Sequence, residues 1–190
     1  MFKHASVALM FSMVAATGQA AEFSGVKVPD SAKVGSSDLV LNGAGLRTRV
    51  VVKVYVGALY LAEKKTAAAD ALASKGAKRI ALHLLRDLSA EQLSGALSDG
   101  LNDNLSEAER AQFKLQIDDL KATMEAVGAA KEKSVVTIDF VPDTGMRIAL
   151  DGAAKGKAIA GEDFYRALMK IWLGDKPVDK GLKAGMLGQG

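Results

Sequence analysis

The sequence contains no cysteine and only two histidines among its 190 residues. Without cysteine, the fold has neither a disulfide bond nor a thiolate ligand for a metal ion. His4 falls in a segment that we expect to be removed, which leaves His83 alone. A lone histidine argues against a histidine-based zinc site, and His83 alternates with Leu82 and Leu84 as a structural strand residue does. We therefore expect no metal and no cofactor. The alternative to a structural His83 is that it acts as a catalytic base.

An excess of charge of one sign is also missing. The formal net charge is +3, and the basic residues are spread along the chain and not grouped. Nucleic-acid-binding proteins concentrate Lys and Arg on one face or in one block, so no nucleic acid partner is expected. Beyond residue 20, no apolar run reaches the length that a transmembrane helix requires.

The first 20 residues have the pattern of a secretory signal peptide. Lys3 belongs to a short basic start, residues 5–16 are apolar and uncharged, and Gly18 and Ala20 are small residues at the positions that a signal peptidase reads. The apolar part is too short to span a bilayer, which favours cleavage over the alternative of a retained anchor. We expect an exported, periplasmic protein in which residues 21–190 form a single domain.

Apolar spacing and capping residues predict strands, then helices, then a hairpin, then more helices. Ser89 and Ser106 each open a capping box, Asp179 caps a last short helix, and residues 142–145 form a hairpin turn. Residues 23–36 are predicted to be an irregular lead-in. This order is typical of an α+β protein in which helices cover an antiparallel sheet.

The segment Leu-Asn-Gly-Ala-Gly-Leu-Arg at positions 41–47 stands out because it runs straight into an apolar strand near 48–61. Its small residues at 43–45 predict a tight connection that delivers Arg47 to the start of that strand. A guanidinium is permanently charged and offers a planar fork of donors that suits a carboxylate or enolate oxygen. An arginine beside an apolar surface indicates a pocket for an apolar molecule with an anionic head.

Tyr55 and Gly57 lie on the same face of the predicted strand as Arg47. A phenol can donate to the oxygen that an arginine binds, and a glycine can leave room for a ligand. A straight strand would place Arg47 and Tyr55 about 26 Å apart, so they meet only if the chain folds back between them. The alternatives are an exposed Arg47 or one paired with Asp38, a core tyrosine, and a glycine required by a bulge or close packing.

These residues resemble the first conserved block of the chalcone isomerase fold, and most closely its bacterial, secreted chalcone isomerase-like branch. Three later segments are similar too: residues 84–87, the hairpin at 142–145, and residues 171–179. The similarity runs from about residue 38 to residue 188 and implies an open-faced β-sandwich, in which a helical layer and an antiparallel sheet enclose a cleft. Plant isomerases close a flavanone ring in that cleft, and fatty-acid-binding relatives hold an acyl chain there.

Compared residue by residue, the resemblance implies binding without catalysis. Arg47 matches the arginine that steadies negative charge, and Tyr55 falls where isomerases have a threonine and fatty-acid-binding relatives a tyrosine. The catalytic tyrosine and asparagine of isomerases fall near Leu93 and Gly100, and their late serine or threonine has no placed counterpart. We expect a non-catalytic protein that binds a small apolar anion such as a fatty acid at Arg47, Tyr55 and Gly57. An isomerase or lyase that uses Arg47, and a structural module without a ligand, are the alternatives.

Overall fold

A computed structural model describes residues 20–190 of the protein, so the predicted signal peptide lies outside the described residues except for Ala20. The strands are β1 Ala20–Phe23, β2 Val26–Pro29, β3 Ser31–Val34, β4 Ser37–Arg49, β5 Val52–Leu61, β6 Lys78–Leu84, β7 Val135–Val141, β8 Gly145–Leu150 and β9 Ala153–Ile159. The helices are α1 Ala68–Ala73, α2 Ala90–Asn104, α3 Glu107–Gln112, α4 Lys114–Val127, α5 Glu162–Leu173 and α6 Lys180–Met186.

Among residues 20–190, seven strands, β3 to β9, form one antiparallel sheet in sequential order, and β1 pairs only with β2. Helices cover one face of this sheet, where Phe164 and Trp172 of α5 are buried with Leu59 and Ile80. The β1–β2 hairpin covers part of the other face. Because β5 is buried on both faces, its sequence is almost continuously apolar instead of alternating.

The predicted local signals are confirmed. Ser89 and Ser106 both form complete capping boxes at the starts of α2 and α3, and the side chain of Asp179 accepts a hydrogen bond from the first turn of α6. The hairpin around residues 142–144 joins β7 to β8. Each of these features depends on residues close together in the chain, which is why sequence patterns predict them well.

Several predicted boundaries are wrong. Residues 23–36, expected to be irregular, contain β2 and β3, which are only four residues long and depend on pairing with their neighbours. Residues 43–45 lie inside β4, and the chain turns instead at Val50 and Val51. The β-branched residues there predicted a continuing strand and concealed the turn. In addition, β9 was missed because it lacks an apolar pattern, and the helix that begins after Ser106 is divided at Phe113 into α3 and α4.

Candidate functional site

The turn between β4 and β5 places Arg47 directly opposite Tyr55. The two residues are Cα partners in the antiparallel ladder, and the turn at Val50–Val51 closes the hairpin one pair of residues beyond Thr48 and Lys53. The chain therefore folds back between them, as a shared site requires. Directly opposed side chains in an antiparallel pair are in contact range, so the hairpin brings a cation and a phenol together.

Arg47 is half-buried, and its guanidinium carbon lies 5.6 Å from the centroid of the Tyr55 ring. This distance is within the range of a cation–π interaction. Within residues 20–190, the Nε atom of Arg47 is buried and has no hydrogen-bond partner, and Arg47 forms no ion pair. Asp38, the alternative partner considered from sequence, lies 4.0 Å from Lys33. The side chain is thus neither freely solvated nor satisfied by an acid.

Tyr55 is almost fully buried, with 5 % of its surface exposed. Its hydroxyl accepts a hydrogen bond of 3.0 Å from Nε1 of Trp172 in α5. Burial raises the pKa of Tyr55, and the nearby Arg47 charge offsets only part of that increase. A phenol oxygen that accepts one hydrogen bond still keeps its own proton for donation. Tyr55 is consequently a neutral donor held in position by Trp172.

The carboxylate of Asp179 lies close to this pair, but the protein backbone uses both of its oxygens. Oδ1 accepts from the N–H of Leu182 at 2.9 Å, and Oδ2 accepts from the N–H of Thr48 at 3.1 Å. These two bonds connect the start of α6 to β4 beside Arg47. Sequence reasoning identified Asp179 as a helix cap and missed its position at the site, since 131 residues separate it from Thr48.

Gly57 lies on the same face as Tyr55, and the space beside it is filled by Leu182 of α6. A Cβ atom on Gly57 would lie 3.0 Å from Cδ1 of Leu182, and one on Gly45 would lie 2.9 Å from the carbonyl oxygen of the same residue. These glycines therefore allow α6 to pack closely on the hairpin. A role for Gly57 in ligand binding stays a prediction, and it requires Leu182 to move.

Leu93 and Gly100, the positions that resemble the proton-handling residues of isomerases, both belong to α2 and are buried. A Cβ atom on Gly100 would lie 2.7 Å from Cγ2 of Ile171 in α5. The small residue is thus required by helix packing. Neither position carries a group that can transfer a proton.

His83 lies on the opposite face of the sheet from Tyr55. Its Cα partners are Val56 and Val135, and burial lowers its pKa. Its Nε2 atom is buried and has no hydrogen-bond partner in the part of the chain that the structure describes. His83 therefore does not belong to the site around Arg47.

Within the described range, no group of three or more His, Asp or Glu side chains is arranged to hold a metal ion. None of the helices between residues 20 and 190 combines the length and the apolar character needed to cross a bilayer.

A second concave region was missed by sequence reasoning. It is a groove of about 290 Å³ between α2, α3 and α4, lined partly by Leu101, Ile117, Arg110, Lys114 and Lys121. No residue of β4, β5 or α6 contributes to its lining. The groove is therefore separate from the Arg47–Tyr55 pair.

The fold and the site together define an α+β protein in which a helix-covered antiparallel sheet carries a half-buried arginine beside a neutral tyrosine. The model of the chalcone isomerase-like family matches residues 20–188, so the chain belongs to that family, as the sequence resemblance predicted.

A crystal structure of a fatty-acid-binding protein from Arabidopsis thaliana is similar to this chain. The TM-score is 0.64 at 15% sequence identity, and the similar region covers 86% of this chain and 92% of the plant protein. At this identity the likeness concerns the fold, and it confirms the predicted α+β architecture of chalcone isomerase type. No curated protein sequence matches the chain.

Proposed function

We propose that this protein binds a small apolar anion, such as a fatty acid, without catalysing a reaction. The observation that carries the proposal is the buried, unpartnered Nε of Arg47 next to the protonated hydroxyl of Tyr55. The family and the fatty-acid-binding structural relative support the same kind of ligand.

A ligand carboxylate would provide the hydrogen-bond acceptor that the Nε atom of Arg47 lacks. An unsatisfied buried donor costs about 1–3 kcal/mol, and a hydrogen bond to a charged group recovers about 1.5–3 kcal/mol. A carboxylate oxygen that accepts from Arg47 can also accept a hydrogen bond from the Tyr55 hydroxyl, whose own proton is not used in the bond with Trp172. The Tyr55 ring beside the guanidinium limits the directions in which it can point, so part of the entropy cost of ordering Arg47 is met before a ligand arrives.

The apolar part of the ligand requires space that α6 now fills. Leu82 and Leu84 of β6 continue the apolar surface from Tyr55 and Gly57, and Leu182 lies above it, fully buried. An acyl chain whose carboxylate is at Arg47 therefore displaces Leu182 and shifts α6. Binding is expected to open this helix away from β4 and to lengthen the bonds that Asp179 makes.

The experiment is a titration of the purified protein with a fluorescent fatty acid. We expect Arg47→Ala to weaken binding about 10- to 100-fold, because it removes one or two charge-assisted hydrogen bonds. Arg49→Ala is the matched control, since Arg49 is on the same strand but is exposed, and its affinity should equal that of the wild type. Absence of binding, or the same loss in both variants, would contradict the proposal and favour a structural module without a ligand.

Material from the native host provides an independent test. Native mass spectrometry of the purified protein should reveal a co-purifying acyl chain, and Arg47→Ala should lose it. An empty wild-type protein from lipid-replete cells would count against a fatty acid as the ligand.

The alternative is an isomerase or lyase that acts on an enolisable substrate. A guanidinium and a neutral phenol in apolar surroundings are suited to stabilise a developing oxyanion. Leu93 and Gly100 provide no proton-transfer group, which favours binding. Cyclisation of chalcones above the uncatalysed rate, lost in Arg47→Ala, would establish the enzyme; a rate equal to background across several chalcones would exclude this class of substrate.

We also propose export to the periplasm, with cleavage after Ala20. The support is the sequence pattern of residues 1–20. Intact mass of protein recovered from the periplasmic fraction should correspond to a chain that begins at Ala21. Ala20→Arg should leave the uncleaved precursor, and a wild-type protein that stays unprocessed in the cytoplasm would disprove export.

A further inference from the structure

The tip of the β4–β5 hairpin exposes three consecutive valines. Val50 is 92% exposed, Val51 is 86% exposed and Val52 is 41% exposed. Elsewhere between residues 20 and 190, the exposed large apolar side chains, Val40 and Leu115, are isolated from one another in sequence. Contiguous exposed apolar surface marks an interaction site more often than scattered apolar residues do.

The backbone of this tip is also unfavourable for its residues. Val50 has a φ of 57°, in the left-handed region that β-branched residues avoid. Two-residue hairpin turns in which only the first central residue has positive φ normally have glycine at that position. The chain thus has a valine where glycine would relieve both the strain and the exposure, and strain retained in this way is typical of functional positions.

The hairpin extends beyond the sheet that supports it. The pairing of β5 with β6 ends at Tyr55, and β3 pairs with β4 only as far as Val40. One further backbone bond, from Leu85 to Val54, holds the base of the extension. The valines therefore stand at the end of a two-stranded projection that a flat surface can reach.

Cations surround this projection. Arg49 and Lys53 flank the valines on the two strands, and Arg86 follows Leu85 at the end of β6; all three are exposed. None of them forms an ion pair with another residue of the described range. The nearby acid, Asp179, has both oxygens occupied by backbone N–H groups.

We propose that this hairpin tip docks on an anionic lipid bilayer. Val50 and Val51 enter the interface between headgroups and acyl chains, while Arg49, Lys53 and Arg86 contact the anionic headgroups. Apolar side chains that insert into the bilayer, together with basic residues that contact the headgroups, are a common means by which peripheral proteins bind anionic membranes. This interaction goes beyond ligand binding, and it would place Arg47 and Tyr55 just above the membrane surface.

The size of the tip favours a bilayer over a protein partner. A stable protein interface buries about 800 Å² on each side, which a narrow projection with three valines does not provide. Reversible membrane binding, in contrast, needs only a few inserted side chains together with several basic residues. A second copy of the chain and a different protein are the alternative partners of the hairpin tip.

The test uses the full chain and sedimentation with vesicles that contain no fatty acid. We expect binding to phosphatidylcholine vesicles that contain about 30% phosphatidylglycerol, and little binding to phosphatidylcholine alone. The double variant Val50→Gly, Val51→Ser should bind about tenfold more weakly, and Arg49→Gln and Lys53→Gln about fivefold each at low salt. Leu115→Ser is the matched control, because Leu115 is 78% exposed on α4 and should not affect binding.

The melting temperature separates a lost interaction from a lost fold. Val50→Gly relieves the turn, so the double variant should melt at the wild-type temperature or above it while its vesicle binding falls. Absence of binding to anionic vesicles at low salt, or equal binding by the double variant, would overturn the proposal. So would a concentration-dependent dimer that the double variant abolishes. Since fatty acid titrations contain no vesicles, failure here is distinguishable from failure of the ligand proposal.

Discussion

The two ends of the β4–β5 hairpin differ sharply in how well their groups are satisfied. At the end inside the sheet (the sheet end), Gly43 and Gly45 allow the backbone of α6 to contact β4, and the Asn42 amide donates to the carbonyls of Lys65 and Met186. The turn end instead holds the unpaired Nε donor of Arg47, a strained turn and exposed valines. One pair of strands therefore provides a well-satisfied scaffold at one end and, at the other, the energetically costly groups of the candidate site.

This division also explains the motif that the sequence presents as a single unit. The glycines at 43 and 45 and the arginine at 47 are close together in sequence, but only the arginine belongs to the candidate site. Close packing of α6 on the glycines fixes where Asp179 and Leu182 lie relative to Arg47. The two glycines thus position α6 next to the candidate site.

The largest effect should follow from adding one methyl group at the sheet end of the hairpin. In Gly43→Ala the new Cβ would overlap the carbonyl oxygen of Gly185 and lie 2.7 Å from the amide nitrogen of Gly188. Backbone atoms cannot rotate away, so we expect the free energy of unfolding to fall by about 3 kcal/mol. Urea denaturation followed by circular dichroism measures this change.

The same substitution in open space provides the control. Gly95 is in the middle of α2, and a Cβ atom added there would have no neighbouring atom within 4 Å, so Gly95→Ala should stabilise the protein by about 0.5–1 kcal/mol. If Gly43→Ala proved as harmless as Gly95→Ala, α6 would not be tightly held, and the contrast between the two ends would disappear.

A smaller loss of stability is expected at the turn end when the Tyr55 hydroxyl is removed. Tyr55→Phe leaves the buried N–H of Trp172 without an acceptor, which costs about 1–3 kcal/mol. Tyr60→Phe, on the other face, removes a donor to the carbonyl of Pro29, and an under-satisfied carbonyl is tolerated better. In thermal unfolding, the melting temperature of Tyr55→Phe should be lower than that of Tyr60→Phe. The reverse order would show that the Trp172 bond does not organise the site.

The smallest effect concerns pH. Because burial holds the pKa of Tyr55 above its ordinary value of 10.0, the phenol stays protonated at neutral and mildly basic pH. Fatty acid affinity should therefore be constant between about pH 6 and pH 9, where a fatty carboxylate is already ionised. A fluorescence titration at several pH values checks this. A decrease in affinity near pH 8 would mean that Tyr55 ionises, and the turn end would then be more solvated than the burial of Tyr55 indicates.

The candidate site was only partly predictable. Arg47 and Tyr55 were identified from residue type and resemblance, but a continuous strand would have kept them far apart. What joined them was the turn at Val50 and Val51, where β-branched residues gave no turn signal. The contribution of Asp179 and Leu182 could not be found in sequence, because their contacts with the hairpin bridge more than 120 residues.

The sequence by itself determined the helix caps, the hairpin around residues 142–144, and the choice of an arginine and a tyrosine as the chemical groups. These features depend on interactions between residues a few positions apart, so local patterns specify them. Tertiary structure alone decided that Arg47 opposes Tyr55, that α6 packs on the glycines beside them, and that three valines project from the sheet. Those outcomes depend on which distant segments fill the same space, and packing settles that only when the whole chain has folded.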